Sequence, residues 1–109
     1  MLELADKKMD KADVVAAKGR LDGTTSRLFE AHCGGLLHAG CKCVVFDFRD
    51  LQFLSSDGLR AILGVSKRIH ADGGRLIFTG ICGPIRDMFD IAGFLGSFPV
   101  VDQVEPDIA

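Results

Sequence analysis

The residues of this chain best suited to chemistry stand in one run, Ser55-Ser56-Asp57-Gly58. Two adjacent hydroxyls are candidate nucleophiles, but a serine attacks only when a positioned base takes its proton. The histidines are His32, His38 and His70. His32 and His38 are six residues apart, a spacing that does not stack them on one helix face. The strand-turn-helix signature G-x-S-x-G is absent. The histidines therefore read as surface or helix-end residues. Carboxylate chemistry is the second possibility, because Asp47, Asp50 and Asp57 all follow the strongest apolar run. A phospho-aspartate receiver would also need an acidic pair after its first strand and a lysine after a late one, and neither is evident. Metal-dependent phosphoryl transfer has no further support.

The remaining reactive types point the same way. Cys33, Cys41, Cys43 and Cys82 show neither zinc nor redox spacing. Cys41 and Cys43, two apart, would share one face of a strand. All four read as reduced, mostly buried small hydrophobes, with no metal bound. Gly73, Gly74, Gly80 and Gly83 are scattered as turn residues, and no phosphate-binding loop pattern occurs. The expectation is a protein that is not an enzyme and holds no cofactor. What is left is a helix start: one residue of Ser55 to Gly58 caps a helix and the others line the turn. A helix N-terminus at a surface suits a phosphate. A phosphorylated side chain there would add about two negative charges and dock or repel a partner.

Positioning this run requires a small folded domain. The chain has 109 residues, 48% of them hydrophobic and 26% charged, which fits one globular domain over 1–109. A net charge of -2 argues against a nucleic-acid footprint, which needs a basic face. No apolar run reaches the ~18 residues of a membrane span, so no direct membrane insertion is expected. The N-terminus is charged from its third residue and has no apolar leader, so a cytoplasmic location is expected.

Leu2 and Leu4 alternate with polar residues as a weak edge strand, and residues 7–13 read as a charged hairpin turn. Val14 to Ala17 is a β-branched strand. Residues 19–26 read as a loop, with Asp22, Thr24 or Thr25 capping a helix that runs to about Ala39. Gly34-Gly35 interrupts that helix and Gly40 ends it. Lys42 to Phe48, continuous and apolar, predicts a central strand covered on both faces. Asp57 to Ala71 predicts a helix with Leu59, Ile62, Leu63, Val65, Ser66 and Ile69 along one face. Asp72-Gly73-Gly74 stops it. Arg75 to Thr79 is a further strand, and Pro84 opens a helix over about Ile85 to Ala92, capped by Gly93. An apolar tail with a short strand follows to Val101, and Asp102 to Ala109 begins a last helix. The order ββαβαβα(β) predicts an α/β fold with a mixed sheet, partly parallel, and right-handed crossovers.

Taken in order, several pieces carry a family resemblance: G-R-L-D after the second strand, VVFDF as the central strand, F-L-S-S-D-G-L opening the second helix, K-R-I-H-A-D-G-G-R-L-I-F-T-G, and the ending F-P-V-V-D. Over about Val14 to Asp102 the chain resembles a STAS domain of the bacterial anti-sigma factor antagonist type. The resemblance implies a STAS-type mixed β-sheet with helices packed mainly on one face. It implies a protein-binding module in a partner-switching system. Its partner would be an anti-sigma factor, a GHKL-type serine kinase or another STAS regulator. The implied docking surface is Ser55, Ser56, Asp57, Gly58, Leu59 and Arg60, with Gly19, Asp22 and Thr24 in the loop beside it. The family's usual pattern here is apolar-apolar-Asp-Ser-Ser-Gly-Leu, and its second serine is the one phosphorylated. Aligned on Gly58-Leu59, that phospho-acceptor falls on Asp57, with Ser55 at the usual Asp and Ser56 at the first Ser. A kinase cannot make phosphoserine at Asp57. Three readings follow: Asp57 permanently imitates the phosphorylated state, or its partner is not phospho-switched, or the acceptor has moved to Ser56 or Ser55. The first two are favoured. The alternative within the same resemblance is a cytoplasmic STAS accessory subunit or domain of a lipid or anion transporter.

Overall fold

The computed structural model describes residues 1–9, 12–81, 83–91 and 100–101. Two long strands open the fold, β1 (Leu2–Met9) and β2 (Ala12–Leu21), followed by α1 (Ser26–His38), β3 (Cys43–Asp47) and β4 (Leu51–Leu54). The chain continues through α2 (Ser56–Ala71), β5 (Arg75–Thr79), α3 (Gly83–Ile91) and the short β6 (Val100–Val101). The strands form one mixed sheet in the order β1-β2-β3-β5-β6, and β4 pairs with β2 off that path. β1 is antiparallel to β2, and β2, β3, β5 and β6 run parallel.

The strands are longer than the turn residues suggest. Lys7, Lys8 and Met9 belong to β1, and Ala12 and Asp13 to β2, with Met9 opposite Ala12. The expected hairpin turn thus shrinks to residues 10 and 11, which lie outside the described residues. Charged side chains are tolerated in this ladder because β1 is an edge strand with five of its eight residues exposed in the run Ala5 to Lys8 and at Glu3. At its other end β2 takes in Gly19-Arg20-Leu21, which sequence reading placed in a loop. Gly19 has φ +105°, and the register of the β2–β4 pairing shifts there. A bulge at this glycine lets one strand pair first with β3 and then with β4.

β3 is central and buried on both faces, as its unbroken apolar run predicts. Val44 and Phe46 face the main core with Val15, Ala17, Leu76 and Phe78. All three described helices bury residues against that same face: Phe29 and Cys33 from α1, Ala61, Ile62, Val65 and Ile69 from α2, Ile85 and Phe89 from α3. Val45 and Cys43 face a second, smaller cluster with Ala12, Val14 and Ile77. Cys41 packs against the main core, so Cys41 and Cys43 lie on opposite sides, not on one face. Cys41 precedes β3, and the period-two rule does not reach it.

Five phenylalanines knit the layers. Phe46 and Phe48 stack at 5.5 Å, Phe29 of α1 lies 5.3 Å from Phe46, and Phe89 of α3 meets Phe78 edge-on at 5.1 Å. Such pairs add stability beyond their buried area. α1 and α2 both end as expected at glycines with positive φ, Gly40 and Gly73. Cys41 N–H reaches Leu36 O and Gly74 N–H reaches Ile69 O, which satisfies carbonyls the helix leaves open. In α2 the expected apolar face holds for Ile62, Val65, Ser66 and Ile69, while Leu63 is 38% exposed on its flank. Within α3, Ile85 and Phe89 are buried and Met88 packs against the core, while Ala92 and Gly93 fall outside the described residues. The tail between α3 and β6, the segment after Val101 and Cys82 also fall outside them.

Candidate functional site

The start of α2 is held by two hydrogen bonds and a close approach of helix to strand. Ser55 N–H donates to Leu21 O at 3.0 Å, tying the turn to the end of β2. Ser55 is the N-cap, and its Oγ accepts the Gly58 N–H at 3.1 Å. This satisfies one of the donors that a helix leaves open at its first turn. Gly58 is buried, and a β-carbon there would stand 2.3 Å from Leu21 O and 2.9 Å from Leu54 Cδ1. The glycine therefore serves close approach of helix to strand, and its atoms face inward.

Asp57 stands in the first turn, where the helix dipole favours a carboxylate. Its side chain is 61% exposed, and Oδ1 lies 3.5 Å from Arg60 Nη1. The carboxylate leans toward the β2–α1 loop: a β-carbon on Gly23 would meet Oδ2 at 2.9 Å. Gly23, Ser26, Glu30, Asp57, Arg60 and Ala61 together line an open cleft of about 200 Å³ between the starts of the two helices. Ser56 is exposed beside it, and Leu59 is half-buried against the main core.

The facing loop is stiffened by its own polar groups. Asp22 Oδ1 accepts from Thr24 N–H at 2.9 Å and from the Thr24 hydroxyl at 2.6 Å. Those two bonds, the hydroxyl first, hold the Asp22 carboxyl below its ordinary pKa, with Arg20 adding to the effect. The Thr25 hydroxyl accepts from Asp22 N–H at 3.0 Å and donates to Arg20 O at 2.9 Å. Thr25 is thus the N-cap residue of α1 by position, but its hydroxyl closes the loop and makes no cap bond. Arg20 lies 4.1 Å above the ring of Phe53, which is 40% exposed, and its Nε is 3.6 Å from Asp22 Oδ2. The loop therefore presents Arg20, Asp22, Gly23 and Thr24 next to Phe53.

The structure brings Asp57 and Arg60 together over Gly23, with Asp22 and Thr24 bound to each other in the same loop. It places Gly19 elsewhere, against the Met1 carbonyl and in a shallow cleft with Met1, Glu3, Lys18 and Gln52. Asp47 does not join Asp57 either; its Oδ1 accepts the Arg49 N–H at 3.1 Å. Among the described residues no three His, Cys, Asp or Glu side chains are placed to share a metal ion. His32, read from the sequence as a surface residue, binds Asp6 Oδ1 at 2.6 Å and so ties α1 to the edge strand. Gly23 lies in the loop that sequence reading assigned to this surface, whereas Glu30 and Phe53 are part of the surface and escape sequence reading. The available signals are faint. Glu30 stands four residues after Ser26, one helical turn on, and Phe53 is an apolar residue in a strand whose register only pairing reveals.

No described helix is long and apolar enough to cross a membrane. The family described as the STAS domain matches residues 5–106. A candidate anti-sigma factor antagonist of Bordetella bronchiseptica, BtrV, is 32% identical over 100 residues, covering 89% of this chain and 86% of that protein. Among solved structures, an anti-sigma factor antagonist from Mycobacterium paratuberculosis superposes with a TM-score of 0.85 at 19% identity, covering 95% of this chain and 88% of that one. The Bacillus cell fate determinant SpoIIAA in its phosphorylated form gives a TM-score of 0.76 at 23% identity, covering 94% and 93%. At those identities the two structures speak for the fold, and the fold they share is the mixed sheet with one helical face described above. The match along nearly the whole length establishes that this chain belongs to the STAS domain family.

Proposed function

We propose that this chain is an anti-sigma factor antagonist-type binding module, acting in the cytoplasm by docking an anti-sigma factor on the surface formed by the first turn of α2 and the Arg20–Thr24 loop. The observation that carries this reading is Asp57. It occupies the place where the family's phospho-acceptor serine falls, it is 61% exposed, and its nearest charge is Arg60 at 3.5 Å. The Ser55 oxygen is engaged by Gly58 N–H at 3.1 Å as the helix cap. A fixed carboxylate brings one negative charge where a phosphoserine would bring about two. On this reading the module is permanently charged at the position where the family resemblance puts a reversibly phosphorylated serine. Its partner is accordingly an anti-sigma factor that tolerates a carboxylate there, or one that does not phosphorylate its antagonist. A GHKL-type kinase that recognises only an unmodified serine is excluded by the same charge.

The test is isothermal titration of the purified anti-sigma factors of the same genome against wild type and Asp57→Ser, followed by incubation with ATP. Wild type binds a partner and takes up no phosphate at position 57. Asp57→Ser changes partner preference and becomes phosphorylated by any partner with serine-kinase activity. Equal binding of both proteins to one kinase, with phosphate on neither, would overturn the reading.

A further inference from the structure

The cleft under Asp57 does not end there. It shares Glu30 with a second cleft of about 190 Å³, which runs on between the helices and is lined by Gly34 and Leu37 of α1 and by Gly64, Val65 and Arg68 of α2. The two make one groove along the α1–α2 seam. Of the four charged residues along it, Asp57 and Arg60 pair with each other, while Glu30 and Arg68 have no ion pair among the described residues. Its floor is open. A β-carbon on Gly64 would meet nothing within 4 Å, and one on Gly34 would meet only Arg68 Nη1, at 3.2 Å. Neither glycine has a positive φ. Packing and backbone thus allow alanine at both positions, although glycine weakens a helix relative to alanine.

We infer that this groove receives a segment of the same protein partner that docks at Asp57. An apolar side chain of that segment lies over Gly34 and Gly64, a carboxylate of the partner faces Arg68, and a cation faces Glu30. The inference rests on the docking reading of the Asp57 turn, with which the groove is continuous through Glu30. The mixed charge of the walls and the apolar Leu37 and Val65 select a protein segment over a free anion. Missing side chains at the floor let the partner approach within contact of the helix backbone, the same reason that small residues recur where helices cross closely.

The experiment uses whichever purified anti-sigma factor binds the wild-type chain in titration. Gly64→Leu fills the groove without disturbing the core, and it weakens binding by about tenfold or more. Gly64→Ala raises the thermal midpoint while weakening binding, which separates docking from folding. Arg68→Glu weakens binding at low salt. Gly35→Leu is the control, because Gly35 has open space around it and lines no part of the groove, and its affinity stays within about twofold of wild type. Wild-type affinity in Gly64→Leu, with Asp57 variants still impaired, overturns the groove and leaves the Asp57 reading standing. Failure of wild type to bind any anti-sigma factor removes both. Self-association of the chain alone, abolished by Gly64→Leu in sedimentation, would assign the groove to a second copy and also overturn the inference.

Discussion

A β-carbon on Gly58 would lie 2.3 Å from the carbonyl oxygen of Leu21. That single approach seats α2 on the end of β2, because the same carbonyl also accepts the Ser55 N–H at 3.0 Å. The obstructing atom is backbone, so it cannot swing aside as a side chain would. Gly58→Ala is expected to lower stability by about 2–3 kcal/mol in urea unfolding, the range of an overpacked core. It should also weaken anti-sigma factor binding, since the Asp57 turn moves with it. An unchanged urea midpoint would show that the helix start is free to slide.

Adjacent serines should behave unequally. Ser55 caps α2, and Ser55→Ala is expected to cost about 1 kcal/mol. Ser56 is exposed at the first helical position, and Ser56→Ala should stay within about 0.5 kcal/mol of wild type. If a kinase modifies either residue, mass spectrometry should find the phosphate on Ser56, because the Ser55 hydroxyl is engaged by Gly58 N–H. Phosphate on Ser55 would mean that the cap opens readily.

Thr79 is fully buried at the end of β5, and its hydroxyl has no hydrogen-bond partner among the described residues. An unmet buried hydroxyl forfeits its hydration without return. Thr79→Val keeps the shape and removes the polar atom, and it should raise the thermal midpoint, corresponding to about 1 kcal/mol. A lower midpoint would reveal a partner for the hydroxyl in solution.

Burial, and then the Asp6 carboxylate, pushes the Cys33 thiol up from 9.0 to about 12. Cys41 rises to about 11, chiefly through burial and then through Asp13. In the unfolded chain these thiols ionise near pH 9, while the folded chain keeps them protonated. Their contribution to stability is therefore complete below pH 9 and is lost as pH climbs toward 12. Urea midpoints measured across that window should fall, and Cys33→Ala should flatten the fall even though it lowers stability at neutral pH. Thiol labelling at neutral pH should leave Cys33 unmodified until denaturant is added, and rapid labelling of the native protein would contradict its burial.

Much of the fold is legible in the chain because its signals are local. The run from Val44 to Phe46 announces a strand buried on both faces, and Gly40 and Gly73 announce helix ends, since each depends on neighbours a few residues away. The bounds of β5, Arg75 to Thr79, follow from the same punctuation. Less legible is whatever pairing decides. Gly19 reads as a loop residue, and becomes part of β2 only because β4 arrives to pair beyond the bulge. Lys7 and Lys8 read as a turn, and are carried into an edge strand by the ladder they join. Leu63 fits the apolar stripe of α2 by spacing, yet the core ends before it.

The sequence by itself determined that α2 opens at Ser55-Ser56-Asp57-Gly58 and that a carboxylate, Asp57, stands in its first turn. Capping, periodicity and residue identity are properties of neighbours along the chain. Only the tertiary structure decided that Gly58 is an inward contact and Asp57 an outward one, that Gly23 lies under the Asp57 carboxylate, and that Glu30 joins two clefts into one groove. Those relationships link residues from different elements, whose distances are set when β2, α1 and α2 pack together and not before.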